Sequence, residues 1–282
     1  MTYRDLYEAG KRQLDSAGVA EAALDARLLL EYVCHTGRND LLVHGEQPVE
    51  EAREKEYRSL IERRAQRIPL QQLTGEQEFM GLTFLVDEHV LIPRQDTEVL
   101  VEEVMKELHD GFRILDLCTG SGCILLSLLH YSNGCSGVGT DLMHDALDIA
   151  RKNAERLGEE NAVFVQGDLF SGVEGRFEII VSNPPYIPTD VIPTLMDEVR
   201  LHEPLTALDG GADGLDFYRR IAREAKAHLC GGGQLFLEIG YDQGEAVTRL
   251  LEKEGYRDIS CTQDFAGLDR VVCGTLYTAE LS

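Results

Sequence analysis

Ile114-Leu-Asp116-Leu-Cys118-Thr-Gly120-Ser-Gly122 is an apolar run that ends in a glycine-rich turn, and residues 122–131 after it carry a helical pattern. A strand, a glycine turn and a helix in this order bring backbone close to a ligand and point the free N–H groups of a helix start into one crevice. Working outward, Arg113–Leu117, Val138–Asp141, Ala162–Gln166, Ile179–Ser182 and Gln234–Ile239 read as strands, and 143–157 and 214–229 as helices. The body is therefore expected to be α/β, a parallel sheet with helices on both faces, with ligands at the carboxyl ends of its strands.

The segment before this body reads differently. Residues 1–67 carry helical periodicity, as in Leu24, Leu28 and Tyr32 one turn apart, and the stretch 48–67 begins acidic and ends basic. Arg63, Arg64 and Arg67 are read as complementing a helix dipole rather than as a nucleic-acid patch. The stretch EQEFMGLTFLVDEHVLIP, residues 76–93, places two extended runs around Met80-Gly81 and Asp87-Glu88, which suggests a β-hairpin. Three parts result: a small helical bundle (1–75), a hairpin linker (76–93) and the α/β body (94–282).

Charge and composition narrow the function. The 282 residues are 43% hydrophobic and 27% charged, an ordinary globular balance long enough for a substantial core. With 27 Lys+Arg against 50 Asp+Glu the net charge is −23, which repels a phosphate backbone, so no direct nucleic-acid partner is expected. No apolar run approaches the roughly 20 residues that cross a bilayer. The beginning, MTYRDLYEAGKRQLDS, has no signal-peptide core. A cytoplasmic protein without a membrane partner is the expectation. The cysteines at 34, 118, 123, 135, 230, 261 and 273 form no CxxC and no zinc spacing, so reduced thiols and no metal are expected.

The glycine turn does not fit a dinucleotide. That fingerprint needs Gly or Ala where this chain has Leu125, and Asp116 inside the strand is ill suited to a pyrophosphate. A positively charged ligand without phosphates suits it better. Asp141, at the end of the next strand, can accept ribose hydroxyls, and it can equally cap the helix that follows. Asp168-Leu169 offers an edge and a face to an adenine ring, or a plain turn. The strongest signal is Ser182-Asn183-Pro184-Pro185-Tyr186 at the end of the fourth strand. Two prolines fix two φ angles and stiffen the turn, so the Asn183 side chain and the Pro184 carbonyl form a rigid pair of acceptors for a planar NH₂ group. Tyr186 adds a ring against which that group can stack.

Asp116, Gly120-Ser121-Gly122, Asp141 and Asn183-Pro-Pro-Tyr186 resemble the class I S-adenosylmethionine-dependent methyltransferases that act on planar nitrogen. Pro69-Leu-Gln-Gln-Leu-Thr-Gly75, Phe79, Pro93-Arg-Gln-Asp-Thr-Glu98, Glu203-Pro-Leu-Thr-Ala-Leu-Asp-Gly-Gly211, Leu237-Glu-Ile-Gly240 and Gly267-Leu-Asp-Arg270 narrow the resemblance to the peptide chain release factor glutamine methyltransferases, the PrmC/HemK family. It spans nearly the whole chain. The chain departs from the pattern at Gln95, where Pro is expected, at Leu169, where some relatives carry an aromatic, and at Cys118, where Gly or Ala is more usual.

The resemblance implies a Rossmann-like methyltransferase sheet and transfer of a methyl group from S-adenosylmethionine to the side-chain amide nitrogen of the Gln in a Gly-Gly-Gln loop. S-adenosylhomocysteine is the product, release factors are the protein partner, and the enzyme is expected to be a monomer. It implies cofactor contacts from Asp116, Cys118, Thr119, Gly120, Ser121, Gly122, Asp141, Asp168, Leu169 and Asn183. It implies a substrate corner of Asn183, Pro184, Pro185 and Tyr186, with Asn183, Pro184 and Tyr186 catalytic. Glu203 and Glu238 either line the substrate side or only shape loops. The alternatives are a ribosomal-protein glutamine methyltransferase and an adenine N6 DNA methyltransferase, and the net charge speaks against the second.

Overall fold

The computed structural model describes residues 1–277, and the chain divides into two compact units. One comprises Met1–Glu76 together with Met196–His202; the other comprises Gln77–Leu195 and the chain from Glu203 onward.

The first unit contains α1 (Tyr3–Ser16), α2 (Ala22–Cys34), α3 (Asp40–Val43), α4 (Glu51–Ala65) and α5 (Leu70–Thr74). Helix α1 starts on a capping box, in which Thr2 and Asp5 each accept the other's backbone N–H. Its core joins Leu6 and Leu14 to Ala26, Leu29, Leu30 and Val33 of α2 and to Tyr57, Leu60 and Ile61 of α4. The row Leu24, Leu28 and Tyr32 is helical, as its spacing predicts, but it lies away from this core, with Leu24 and Tyr32 exposed. Two of the three arginines also do more than expected. Arg64 is buried, with Nε 2.7 Å from Asp25 Oδ2 and Nη2 3.0 Å from Glu198 Oε1. Arg67 reaches Glu198 Oε2 at 2.6 Å. Arg64 and Arg67 thus join a largely buried ion network, while Arg63 and Arg64 stand in the last turn of α4 as the dipole reading expects.

The second unit begins within β1 (Glu76–Phe79), which pairs with β2 (Leu82–Leu85) as a two-stranded sheet. Met80 and Gly81 between them both have positive φ, 52° and 72°, the backbone of a tight type I′ hairpin. The second run around Asp87-Glu88 forms no strand; it is a turn on the way to α6 (Gln95–Glu107). Then come β3 (Arg113–Leu117), α7 (Cys123–His130), β4 (Ser136–Asp141), α8 (His144–Leu157), β5 (Ala162–Gln166) and β6 (Phe177–Ser182). The short helix α9 (Asp197–His202) belongs to the first unit. The chain continues through α10 (Asp216–Glu224), β7 (Leu229–Glu238), α11 (Gly244–Glu254), β8 (Arg257–Gln263) and β9 (Asp269–Leu276).

Seven strands form one sheet in the order β5-β4-β3-β6-β7-β9-β8. Pairing is parallel from β5 to β7, whereas β9 runs antiparallel to both β7 and β8. The fold is thus Rossmann-like and mostly parallel, not parallel throughout. Helices α6 and α7 pack one face through Leu100, Val104, Leu125 and Leu128. Helices α10 and α11 pack the other through Tyr218, Ile221, Val247 and Leu251. The strand order runs outward from β3 to β5 and then restarts on the other side with β6, so the chain reverses direction between β3 and β6. At such a reversal the two following loops splay apart and leave a crevice.

Candidate active site

The two loops that flank this crevice are the glycine turn after β3 and the proline turn after β6. A cavity of about 230 Å³ opens there, lined by Cys118, Thr119, Gly120, Ser121, Asp141, Asp168, Leu169, Asn183 and Pro185, among others. The apolar part of its wall comes from Val90, Ile124, Leu142, Met143 and Phe217.

The glycine turn is fixed from behind. Asp116 is wholly buried in β3 and accepts the Thr119 hydroxyl at 2.5 Å, and burial pushes its carboxyl up to about 7. Thr119 N donates to Thr140 O at 2.9 Å, and the buried Asn153 amide donates to Ser121 O at 2.9 Å. The same asparagine bonds both backbone groups of Leu85, which ties β2 to the turn. Gly120 has φ 54°, and a Cβ there meets no heavy atom within 4 Å, so its open side faces the cavity. Gly122 serves the helix instead: it caps α7 at φ 79°, and a Cβ there lies 3.1 Å from Leu126 and 3.3 Å from Ala150.

Asp141 has two tasks. Its Oδ2 accepts Gly120 N at 3.0 Å and its Oδ1 accepts Met143 N at 2.9 Å, so it binds the turn to the start of α8. Burial raises its carboxyl above the usual range. Each oxygen keeps a further lone pair. Asp168, half exposed, pairs through Oδ2 with Arg220 at 2.9 Å. Leu169 is buried and accepts the Thr140 hydroxyl at 3.1 Å. Cys118 and Leu169 both have positive φ, 57° and 53°, the strained left-handed backbone that accumulates at functional sites. This explains why glycine suits position 118.

The proline turn is braced on its outer side. Ile187 forms a parallel bridge with Asp209, and Gly210 N donates to Ile187 O at 2.9 Å. Gly210 lies so close that a Cβ there sits 2.7 Å from Tyr186 Cα and 2.9 Å from Pro185 O. Gln243 Nε2 donates to Tyr186 O at 3.0 Å, while its Oε1 accepts Gly240 N at 2.9 Å. Asn183 Nδ2 donates to Thr97 Oγ1 at 3.3 Å.

The structure therefore gathers most of the sequence-predicted residues around one cavity. Asp116, Gly122, Pro184 and Tyr186 lie outside its lining: the first two support the turn and the other two adjoin Asn183 and Pro185. Glu203 accepts from Arg94 at 2.5 Å, and both it and Glu238 are buried and lie outside the lining. Sequence reasoning missed Phe217 and Arg220 of α10. They stand three residues apart, on one side of a helix whose Tyr218, Ile221 and Ala222 are buried, and that spacing was the available signal. Gln95, where the family pattern has Pro, is the first residue of α6, a position where proline pre-sets φ but leaves no hydrogen bond dependent on it.

The PrmC N-terminal domain matches residues 5–75, and the methyltransferase small domain matches residues 94–198. A release factor glutamine methyltransferase of Moorella thermoacetica is 44% identical over 285 residues, covering 99% of this chain and 100% of that protein. The chain belongs to the release factor glutamine methyltransferase family. A second member, from Agrobacterium fabrum, is 41% identical over 271 residues, covering 94% of each chain. A solved methyltransferase of Pyrococcus furiosus, 20% identical, aligns with a TM-score of 0.56 over 77% of this chain and 99% of its own, which shows the fold alone. The family is one of methyltransferases, and this chain is an enzyme of that kind. Among the described residues, no helix is long and apolar enough to cross a membrane, and all seven cysteines are free.

Proposed function

We propose that this protein transfers a methyl group from S-adenosylmethionine to the side-chain amide nitrogen of the glutamine in the Gly-Gly-Gln loop of peptide chain release factors. The observation that carries the reading is the juxtaposition of two loops at the strand-order reversal: a rigid amide-accepting corner at Asn183–Tyr186 beside a glycine turn with an open face and an acidic strand end.

The residues present fit the cofactor. Asp141 offers free lone pairs to ribose hydroxyls, Asp168 and the buried Leu169 offer an edge and a face to adenine, and the open side of Gly120 admits the amino-acid moiety. Cys118, Thr119 and Ser121 complete that wall, with Asp116 and Gly122 holding its shape. Bound there, S-adenosylmethionine would supply an electrophilic methyl carbon on a sulfonium that the acidic strand end at Asp141 favours.

An amide nitrogen is a poor nucleophile because its lone pair is delocalised, so the task of the protein is orientation. Asn183 Oδ1 and the Pro184 carbonyl accept the two N–H bonds of the substrate amide, which turns the nitrogen lone-pair axis toward the cavity. Tyr186 stacks against the amide plane. Positioning of this kind lowers barriers by several kcal/mol, up to roughly 7–11 in intramolecular models. The amide proton becomes acidic only as the nitrogen acquires positive charge, so no base is needed beforehand.

The helical unit of residues 1–75 supplies surface for the protein substrate, and the enzyme acts as a cytoplasmic monomer. The test is mass spectrometry of purified release factors after incubation with protein and cofactor. A single added methyl on the Gly-Gly-Gln peptide supports the reading, and its absence with active substrate refutes it.

A further inference from the structure

Glu238 ends β7 beside the proline turn. In the parallel pairing of β6 with β7, Ser182 lies opposite Leu237, so the next positions, Asn183 and Glu238, are neighbours at the sheet end. Glu238 is 2% exposed, and it lies outside the cavity lining. Thr97 of α6, itself buried, accepts Asn183 Nδ2 on this same side. The charged and titratable groups that interact with Glu238 are Arg270 and Asp96, with Tyr186, Tyr218 and the Cys123 thiol at the start of α7. Arg270 is already engaged with Asp264 at 3.0 Å and Asp96 at 3.2 Å. Tyr218 donates to the backbone carbonyl of Glu238 at 2.9 Å.

We infer that Glu238 is a positioning residue: acting with Thr97, its carboxylate draws the NH₂ end of the Asn183 amide inward and so turns the Asn183 carbonyl toward the substrate amide. The inference rests on the substrate reading above. A hydroxyl has one proton. When Glu238 is ionised, Thr97 gives that proton to the carboxylate and keeps a lone pair for Asn183 Nδ2, so only the acceptor end of Asn183 is left for the cavity. When Glu238 is protonated, its own O–H can point at Thr97, the hydroxyl proton turns to Asn183, and the amide is stable in the reversed orientation. A donor NH₂ then meets the donor NH₂ of the substrate. Burial pushes this carboxyl up to about 7, against hydrogen bonding from Thr97, attraction from Arg270 and hydrogen bonding from Asn183. The competent, ionised form therefore grows as pH rises through neutrality.

The test compares wild type, Glu238→Gln, Thr97→Val and Thr97→Ser. At pH 8, Glu238→Gln and Thr97→Val should lower kcat by about 10- to 100-fold, the scale of a misplaced reacting group, with KM for cofactor within about twofold. Thr97→Ser keeps the hydroxyl and should restore kcat. The acid limb of the wild-type kcat profile should vanish in Glu238→Gln. In cofactor-free protein, the Asn183 side-chain NH₂ resonances, assigned by their loss in Asn183→Ala, should shift over the same pH range in wild type and stay fixed in Glu238→Gln. Wild-type kcat in Glu238→Gln, or a persisting acid limb, overturns the inference while leaving the substrate reading intact. Failure of wild type to methylate release factor sinks the substrate reading instead, and the resonance titration still decides the relay from Glu238 to Asn183.

Discussion

Adding one methyl group at Gly210 tests whether the proline turn must be rigid. In Gly210→Ala the new Cβ lies 2.7 Å from Tyr186 Cα, 2.8 Å from Tyr186 C and 2.9 Å from Pro185 O, all backbone atoms that cannot rotate aside. Comfortable carbon contacts begin near ~3.5 Å, so the Asn183–Tyr186 corner and the 208–214 loop must separate by about 1 Å. Overpacking on this scale costs roughly 1–3 kcal/mol of stability. A displacement of about 1 Å in a positioned reactant costs on the order of 100-fold in rate. Gly210 is not part of the cavity lining, so cofactor affinity should change little. The assay is single-turnover methyl transfer to release factor beside calorimetric cofactor titration and a thermal melt. Gly120→Ala supplies the contrast: its Cβ meets no atom, its φ of 54° costs about 1–2 kcal/mol of strain, and its methyl group enters the cavity. That variant should lose cofactor affinity first. Turnover within threefold of wild type in folded Gly210→Ala refutes the rigid-corner argument.

Asp141→Ala removes a charged acceptor from Gly120 N and Met143 N, and hydrogen bonds to charged groups contribute about 1.5–3 kcal/mol each. Cofactor affinity should fall at least tenfold, and an unchanged calorimetric Kd contradicts the assignment. Asp116 has its carboxyl raised to about 7 by burial, against about 3.9 in an unfolded chain. Between those values the folded state holds a proton the unfolded state has released, so this group makes stability decline as pH rises from about 4 to 7. Asp116→Asn should shrink the difference in Tm between pH 5 and pH 8, and melting curves that keep the wild-type difference rule out this origin. Arg64→Ala leaves Asp25 buried without its partner and should cost roughly 3–5 kcal/mol in urea unfolding; a loss under about 1 kcal/mol shows the ion network to be dispensable.

The parallel half of the sheet is legible in the sequence because its strands are buried on both faces and appear as unbroken apolar runs, as in Ile179-Ile-Val181. The antiparallel edge is not. β8 reads Arg-Asp-Ile-Ser-Cys-Thr-Gln, polar and exposed over most of its length, so no periodicity marks it. β7 starts earlier than its apolar core suggests because Gly231-Gly-Gly233 carries a shift in register between Phe177 and Ile179. At the site, motif residues clustered in loops were visible, since glycines and prolines announce special backbone. The supports were not: Asn153, Thr97 and Gln243 are ordinary helix or loop residues whose importance comes from tertiary neighbours. Helix α2 shows the opposite failure. Leu24 and Tyr32, one helical row, face outward, while the core takes the neighbouring row of Ala26, Leu29, Leu30 and Val33.

Helix α9 has a consequence for anyone who dissects this chain. It sits 120 residues downstream of the helices it joins, and through Glu198 it supplies an acid shared by Arg64 and Arg67. A gene fragment stopped after Glu76 encodes five helices with that acid missing, and a chimaera that exchanges only the front of the chain inherits a foreign partner for both guanidinium groups. The transplantable cassette is discontinuous: residues 1–76 and 196–202 must travel together.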